Sequence, residues 1–130
     1  MTDAWKPDGY TSVSPYLVTR DAQRVIDFLV AVLDAEPLRR YDRPDGSIMH
    51  AELRIDDTVV MIGEATDETT VVPCHLHVYV PDVDAAYERA LARGAESVSP
   101  PTRKEGESDR RGGVVDPAGN SWWFSTQLEE

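Results

Sequence analysis

Three histidines, a tryptophan pair and a few carboxylates are the residues of this 130-residue chain that could do chemistry. His75 and His77 stand two apart in HLHVYV, so on an extended strand they share one face and could ligate one ion together. His50 and Glu52 have the same spacing in IMHAELRI, which sets an imidazole beside a carboxylate. These residues read in three ways. His50 or His75, with Glu52, is a candidate acid–base catalyst, because imidazole titrates near neutrality. All three histidines with Glu52 could form a metal site. Without chemistry, they are hydrogen-bonded polar groups lining a wet cavity. Trp122 and Trp123 are adjacent and must point to opposite faces of a strand, so one belongs to the core and the other offers a flat stacking surface. Tyr16 and Tyr79 are candidates to complete an aromatic clamp. Arg110 or Arg111 could grip an anionic group or simply pair with an acid. Cys74 has no evident acid–base partner and reads as structural. Glycine-rich phosphate loops, nucleophile elbows and zinc-finger spacings are absent from the sequence.

The net charge of −11, from 24 acidic against 13 basic residues, argues against nucleic acid, whose phosphates a binder must neutralise. An acidic field attracts cations or serves solubility. No apolar run approaches the roughly 20 residues of a membrane span. The start, MTDAWKPDGYTS, lacks a basic stretch followed by an apolar one, and one cysteine forms no internal disulfide, so a reducing cytoplasm is expected.

The elements that must position these residues come in two matching sets. Residues 13–20 alternate as a strand, and Asp21 is an N-cap candidate for a helix whose apolar face is Val25, Ile26, Leu29, Val32 and Leu33. Strands at 37–42, 48–55 and 58–63 follow, joined by Pro44-Asp45-Gly46 and Asp56-Asp57 turns. A strand at 75–80 then leads to a helix capped by Asp82 and ended by Gly94, and to strands at 97–99, 112–115 and 121–126. Asp21 and Asp82 are 61 residues apart, and Asp56 and Asp116 are 60 apart. Either half alone is too small to stand in water. The segment 100–111, PPTRKEGESDRR, reads as a mobile loop able to close over a pocket.

The segments SPYLVTRDAQRVIDFL (14–29), DGSIMHAELRIDDTVVMIGE (45–64), HLHVYVPDVDAAYERALARGA (75–95) and DRRGGVVDPAGNSWWFSTQ (109–127) carry a resemblance. The chain resembles the vicinal oxygen chelate superfamily of glyoxalase I, bleomycin-resistance proteins and extradiol dioxygenases, and within it the PhnB-like group. The resemblance implies an α+β fold of paired βαβββ modules, about 13–64 and 74–127, that form a cupped mixed sheet in one domain, 13–127, after an arm at 1–12. It also implies a homodimer. Alternation then assigns Tyr16, His50, Glu52, Met61, His75, His77, Tyr79 and Trp123 to the cup, with Arg110 near it. Ala51, Leu53, Ile55, Leu76, Val78, Val80, Trp122 and Phe124 go to the core side. Metal-dependent members place ligands where this chain has Ser14, Met61, His75 and Trp123, and only the histidine suits a divalent ion. The leading expectation is therefore a metal-free, small-molecule binding protein that sequesters an antibiotic or similar natural product. The rival is a lyase or isomerase using His75 or His50 with Glu52, with or without a divalent metal. A third is a dimeric scaffold without a ligand.

Overall fold

The computed structural model describes residues 5–128. Its elements run β1 (Tyr16–Thr19), α1 (Ala22–Leu33), β2 (Glu36–Asp42), β3 (Ile48–Ile55), β4 (Thr58–Glu64), a 3-10 turn (Glu68–Thr70), β5 (His75–Tyr79), α2 (Val83–Ala92), β6 (Glu96–Thr102), β7 (Asp109–Val115) and β8 (Ser121–Gln127). Two four-stranded sheets result, ordered β1-β4-β3-β2 and β5-β8-β7-β6. In each, the first strand pairs parallel with the last and the others pair antiparallel. The fold is α+β, two βαβββ modules in tandem.

Local chemistry explains the element ends. α1 buries Ala22, Val25, Ile26, Phe28, Leu29 and Val32, a helical stripe one face wide. Its expected cap works differently from the sequence reading. Asp21 adopts a left-handed φ of 46° and its side chain makes no capping bond, so its backbone carbonyl alone receives Arg24 N–H at 3.0 Å. Asp82 does cap α2, accepting from Ala85 N–H at 3.1 Å. Gly94, at φ 94°, ends that helix as expected, with Ala95 N–H returning to the Ala90 carbonyl at 3.0 Å.

Two boundaries moved. β1 is shorter than expected, so Ser14 and Pro15 lie before it. The segment 100–111 is strand at both ends: β6 runs through Pro100 and Pro101 to Thr102, and β7 starts at Asp109. An outer strand tolerates proline because one of its edges needs no N–H donor. The connection left between β6 and β7 is 103–108, half the span of the expected loop.

The buried residues of both modules form one continuous core. α1 and α2 touch, and Arg89 of α2 donates to the Val32 carbonyl at the end of α1, at 2.8 Å. Each sheet lays one face on this helical layer. Leu17, Ala51, Leu53, Ile55 and Ile62 do so in the first module, and Val114, Trp122 and Phe124 in the second. Leu76, Val78 and Val80 pack against the same core. The alternation thus falls as expected on β3, β5 and β8. Among the described residues no helix is long and apolar enough to cross a membrane.

Asp116 anchors the last hairpin. Its side chain is buried and accepts from Ala118 N–H at 2.8 Å, Asn120 N–H at 3.0 Å and the Trp122 indole N–H at 2.9 Å. A buried donor left without a partner costs about 1–3 kcal/mol. Asp116→Ala strands several at once and is expected to cost at least about 3 kcal/mol in urea melts. Trp122→Ala, which empties a fully buried indole site, should cost about 3–5 kcal/mol. A loss under 1 kcal/mol in either variant would refute this account of the hairpin.

Candidate functional site

The faces turned away from the helices hold nearly all the chemistry-bearing residues. On the first, cross-strand register sets Tyr16 beside Met61, Met61 beside Glu52, and Glu52 beside Arg39. Tyr16 Oη lies 3.1 Å from His50 Nδ1, and His50 Nε2 lies 2.8 Å from Glu52 Oε2. Tyr41, opposite His50 on β2, stacks with the imidazole at a centroid distance of 6.4 Å. The segment expected as an arm contributes here too. Tyr10 donates its phenol to Glu52 Oε1, Arg54 donates to the Gly9 carbonyl at 3.2 Å, and the Arg39 guanidinium sits over the Tyr10 ring.

Covered this way, Glu52 is only 6% exposed. Burial pushes its carboxyl up, but the hydrogen bonds from Tyr10 and His50, with nearby positive charge, outweigh that and hold it below the usual glutamate range. The same bond raises the Tyr10 phenol.

The second face carries His75, His77, Tyr79 and Trp123. His77 and Trp123 are register partners, as are Trp123 and Gly113. His77 Nε2 meets Ser125 Oγ at 2.8 Å, and Arg111 donates to the same hydroxyl at 3.2 Å. Tyr79 donates to Asp109 Oδ2 at 2.7 Å, which raises its phenol. His75 lies 6.4 Å from the Trp123 ring centre.

On both faces a ring lies over a glycine. A Cβ added at Gly113 would stand 2.8 Å from the Trp123 indole, and one at Gly63 would stand 3.0 Å from Tyr16 Oη. Real Cβ atoms essentially never come as close as the first distance and seldom as close as the second, so Gly113 is what lets the Trp123 indole lie against the sheet, and Gly63 leaves room for the Tyr16 phenol.

Two expected placements differ. Arg110 points to the helix side, where it grips Asp84 of α2 with two bonds of 2.9 Å. Alternation on β7 gives the second face to Asp109 and Arg111 instead. The three histidines also do not gather, since His50 is on the first sheet while His75 and His77 are on the second. Among the described residues no three His, Cys, Asp or Glu side chains converge as a metal site. The residues at the four positions assigned to ligands by resemblance, Ser14, Met61, His75 and Trp123, do not fit a divalent ion. Cys74 donates weakly to the Tyr16 carbonyl at 3.6 Å, and burial raises its thiol, which favours the protonated, less nucleophilic form. Tyr10, Arg39 and Tyr41 escaped the sequence reading. For Arg39 and Tyr41 the signal was available, as each sits at an alternate position facing a chosen residue.

Neither face is closed within one chain. Tyr16 is 44% and Tyr79 63% exposed. Among the described residues, the side-chain bonds of the two faces each stay within their own sheet. A cavity of about 590 Å³ lies between α1 and β2, and another of about 860 Å³ where the modules meet, and neither is lined by Tyr16, His50, Met61, His75, His77 or Trp123.

The profile of the glyoxalase/bleomycin resistance protein/dioxygenase superfamily matches residues 10–124. The chain belongs to this superfamily. An uncharacterized protein of Mycobacterium bovis is 38% identical over 132 residues, spanning 92% of this chain and 85% of that protein. Among solved structures, TioX from Micromonospora sp. ML1 superposes with a TM-score of 0.74 at 30% identity, covering 91% of this chain and 99% of that one. The fosfomycin resistance protein FosX from Mesorhizobium loti (20% identity, TM-score 0.65, 89% and 91% covered) shares the fold. So does a PhnB protein from Bacillus cereus (15% identity, TM-score 0.74, 89% and 99% covered).

Two outcomes follow from this geometry. Gly113→Ala should push the Trp123 indole off the sheet, altering the near-ultraviolet circular dichroism, whereas an unchanged spectrum would remove the steric argument. A lowered folded pKa means that ionised Glu52 stabilises the fold above the usual glutamate range, and that this is lost as pH falls through the lowered value. Glu52→Gln should thus be less stable than wild type by about 1–3 kcal/mol at neutral pH, with the gap closing in acid. A gap that widens in acid would contradict the sign.

Proposed function

We propose that the protein binds a small, flat molecule, an antibiotic or similar natural product, without a metal ion, in a cup walled by these two faces. The observation that carries the reading is Trp123. It takes a position the resemblance gives to a metal ligand, and it lies flat over Gly113 with His75 and His77 beside it. An indole plane of this kind suits stacking, and a net charge of −11 favours a cationic partner. The open faces support a homodimer in which the first face of one copy meets the second face of the other. Pairing would bury aromatic surface that a single chain leaves in water.

One observation favours a second reading. The Tyr16–His50–Glu52 chain has the form of an oriented general base, with the carboxylate bonded to the imidazole. It fits a lyase or isomerase acting on a small metabolite through His50 and Glu52. His75, the other candidate base, is placed beside Trp123 instead.

Light scattering on a sizing column should return twice the chain mass at micromolar concentration, and a monomer would remove the shared cup. A thermal-shift screen of planar, cationic natural-product antibiotics, with and without divalent metal, should yield metal-independent stabilisation. Trp123→Ala should weaken such binding by about 1–3 kcal/mol while costing less stability than Trp122→Ala. Stabilisation that requires metal, or turnover abolished by His50→Gln, would favour the enzyme.

A further inference from the structure

Tyr10 sits on the first face as a ligand would. Met61 N–H on β4 donates to the Pro15 carbonyl at 2.9 Å, and Arg54 on β3 holds the Gly9 carbonyl at 3.2 Å. The chain between these two points therefore crosses the sheet instead of following a strand. Val59, the register partner of Arg54, lies on that path. It is fully buried although it points away from the helices, its neighbour Val60 being the one in the core. The Arg39 guanidinium stands 5.3 Å from the centre of the Tyr10 ring, and the phenol donates to Glu52 Oε1. The place that Tyr10 fills thus has a cation over the ring and a carboxylate at the hydroxyl, beside apolar surface at Val59. A phenol needs these three things from a binding site.

What holds the arm there is slight. Residues 5–15 form no helix or strand, and Trp5 and Val13 stay exposed. The Thr11 hydroxyl is buried with no hydrogen-bond partner among the described residues, which works against the docked state. The continuous core includes none of residues 5–15. Glu52, by contrast, is held from within the sheet, since His50 Nε2 meets its other oxygen at 2.8 Å.

We infer that the first face contains a subsite for a phenol, bounded by Arg39, Glu52 and Val59, and that the chain's own Tyr10 fills it as a strap which an incoming phenolic ligand displaces. This rests on the reading that the faces take up a small molecule, and it adds a chemical class, a flat ring bearing a hydroxyl. Tyr10 is a competitor of that ligand, while Arg39 and Glu52 are its contacts.

Isothermal titration of the full chain with p-cresol, which has the shape of the tyrosine side chain, and with toluene, which lacks only the hydroxyl, tests the subsite. In Tyr10→Ala the emptied place should take p-cresol about tenfold more tightly than toluene, the scale of a hydrogen bond to a carboxylate. An apolar hole without an acceptor would prefer toluene. Wild type should bind p-cresol about tenfold more weakly than Tyr10→Ala, because the strap must leave first. As the probe saturates wild type, the amide signals of residues 9–12 should move to random-coil positions. No binding to Tyr10→Ala, an equal or better affinity for toluene, or equal affinities of the two proteins for p-cresol would overturn the inference. So would a wild type that p-cresol never enters, or one that it saturates with the arm signals unmoved. Loss of the cooperative urea transition in Tyr10→Ala would make the arm part of the core and overturn it as well. If p-cresol fails in any of these ways while antibiotics still stabilise the protein in a manner dependent on Trp123, the binding reading stands alone. If p-cresol displaces the arm and no antibiotic binds, the subsite stands and the wider cup falls.

Discussion

The Asp116 carboxylate decides which way the last strand faces. It takes two backbone N–H groups of its own turn and the indole N–H of Trp122, all inside the protein. A tight turn and a core side chain are thereby tied to one group. Shifting β8 by a single residue would break the indole bond and exchange Trp122 for Trp123 at the core. Because β8 lies between β5 and β7, its facing also sets the partners of His77 and Gly113. The outward indole, the glycine under it and the histidine beside it all follow from that buried anion.

Much of the fold was legible because one face of each strand is buried against helices and the other is not. Under that constraint period-two alternation is informative, and it placed Ala51, Leu53 and Ile55, and Trp122 against Trp123, on the right sides. The matched halves were visible through their aspartates, yet those pairs turn out to be equivalent in place and different in chemistry. Asp82 caps with its side chain, whereas Asp21 uses a left-handed backbone and no side-chain bond. Sequence types reveal that an aspartate ends an element, and only backbone geometry reveals how. The ends of the segment 100–111 were misread for a related reason: turn formers and charge suggested loop throughout, but an outer strand accepts both, and only 103–108 connects the strands.

The site was legible as a set of residues and obscure as an arrangement. Alternation put His50, His75 and His77 on outward faces without saying that those faces belong to separate sheets. The pairing of His50 with Glu52 was implied by their spacing. The approach of Tyr10 to Glu52 was not, because it comes from a segment outside the repeats, with the partners 42 positions apart. Arg110 and Arg111 show the limit from the other side, since one step along a strand separates a helix contact from an outward contact.

The outer strands β2 and β6 have a consequence for how copies of this chain can meet. A strand at the rim of a sheet is a template for another strand, and backbone pairing between molecules leads to aggregates rather than closed assemblies. β2 contains Pro37 along with Arg39, Arg40 and Asp42, and its register slips between Pro37 and Arg39 and again between Tyr41 and Asp42. β6 contains Pro100 and Pro101, and its register slips twice. Prolines withhold the N–H that a ladder needs, and the slips bend the backbone away from a straight partner. Growth of either sheet sideways is blocked at these rims, so a meeting that uses the broad aromatic surfaces is left in a position to close on itself.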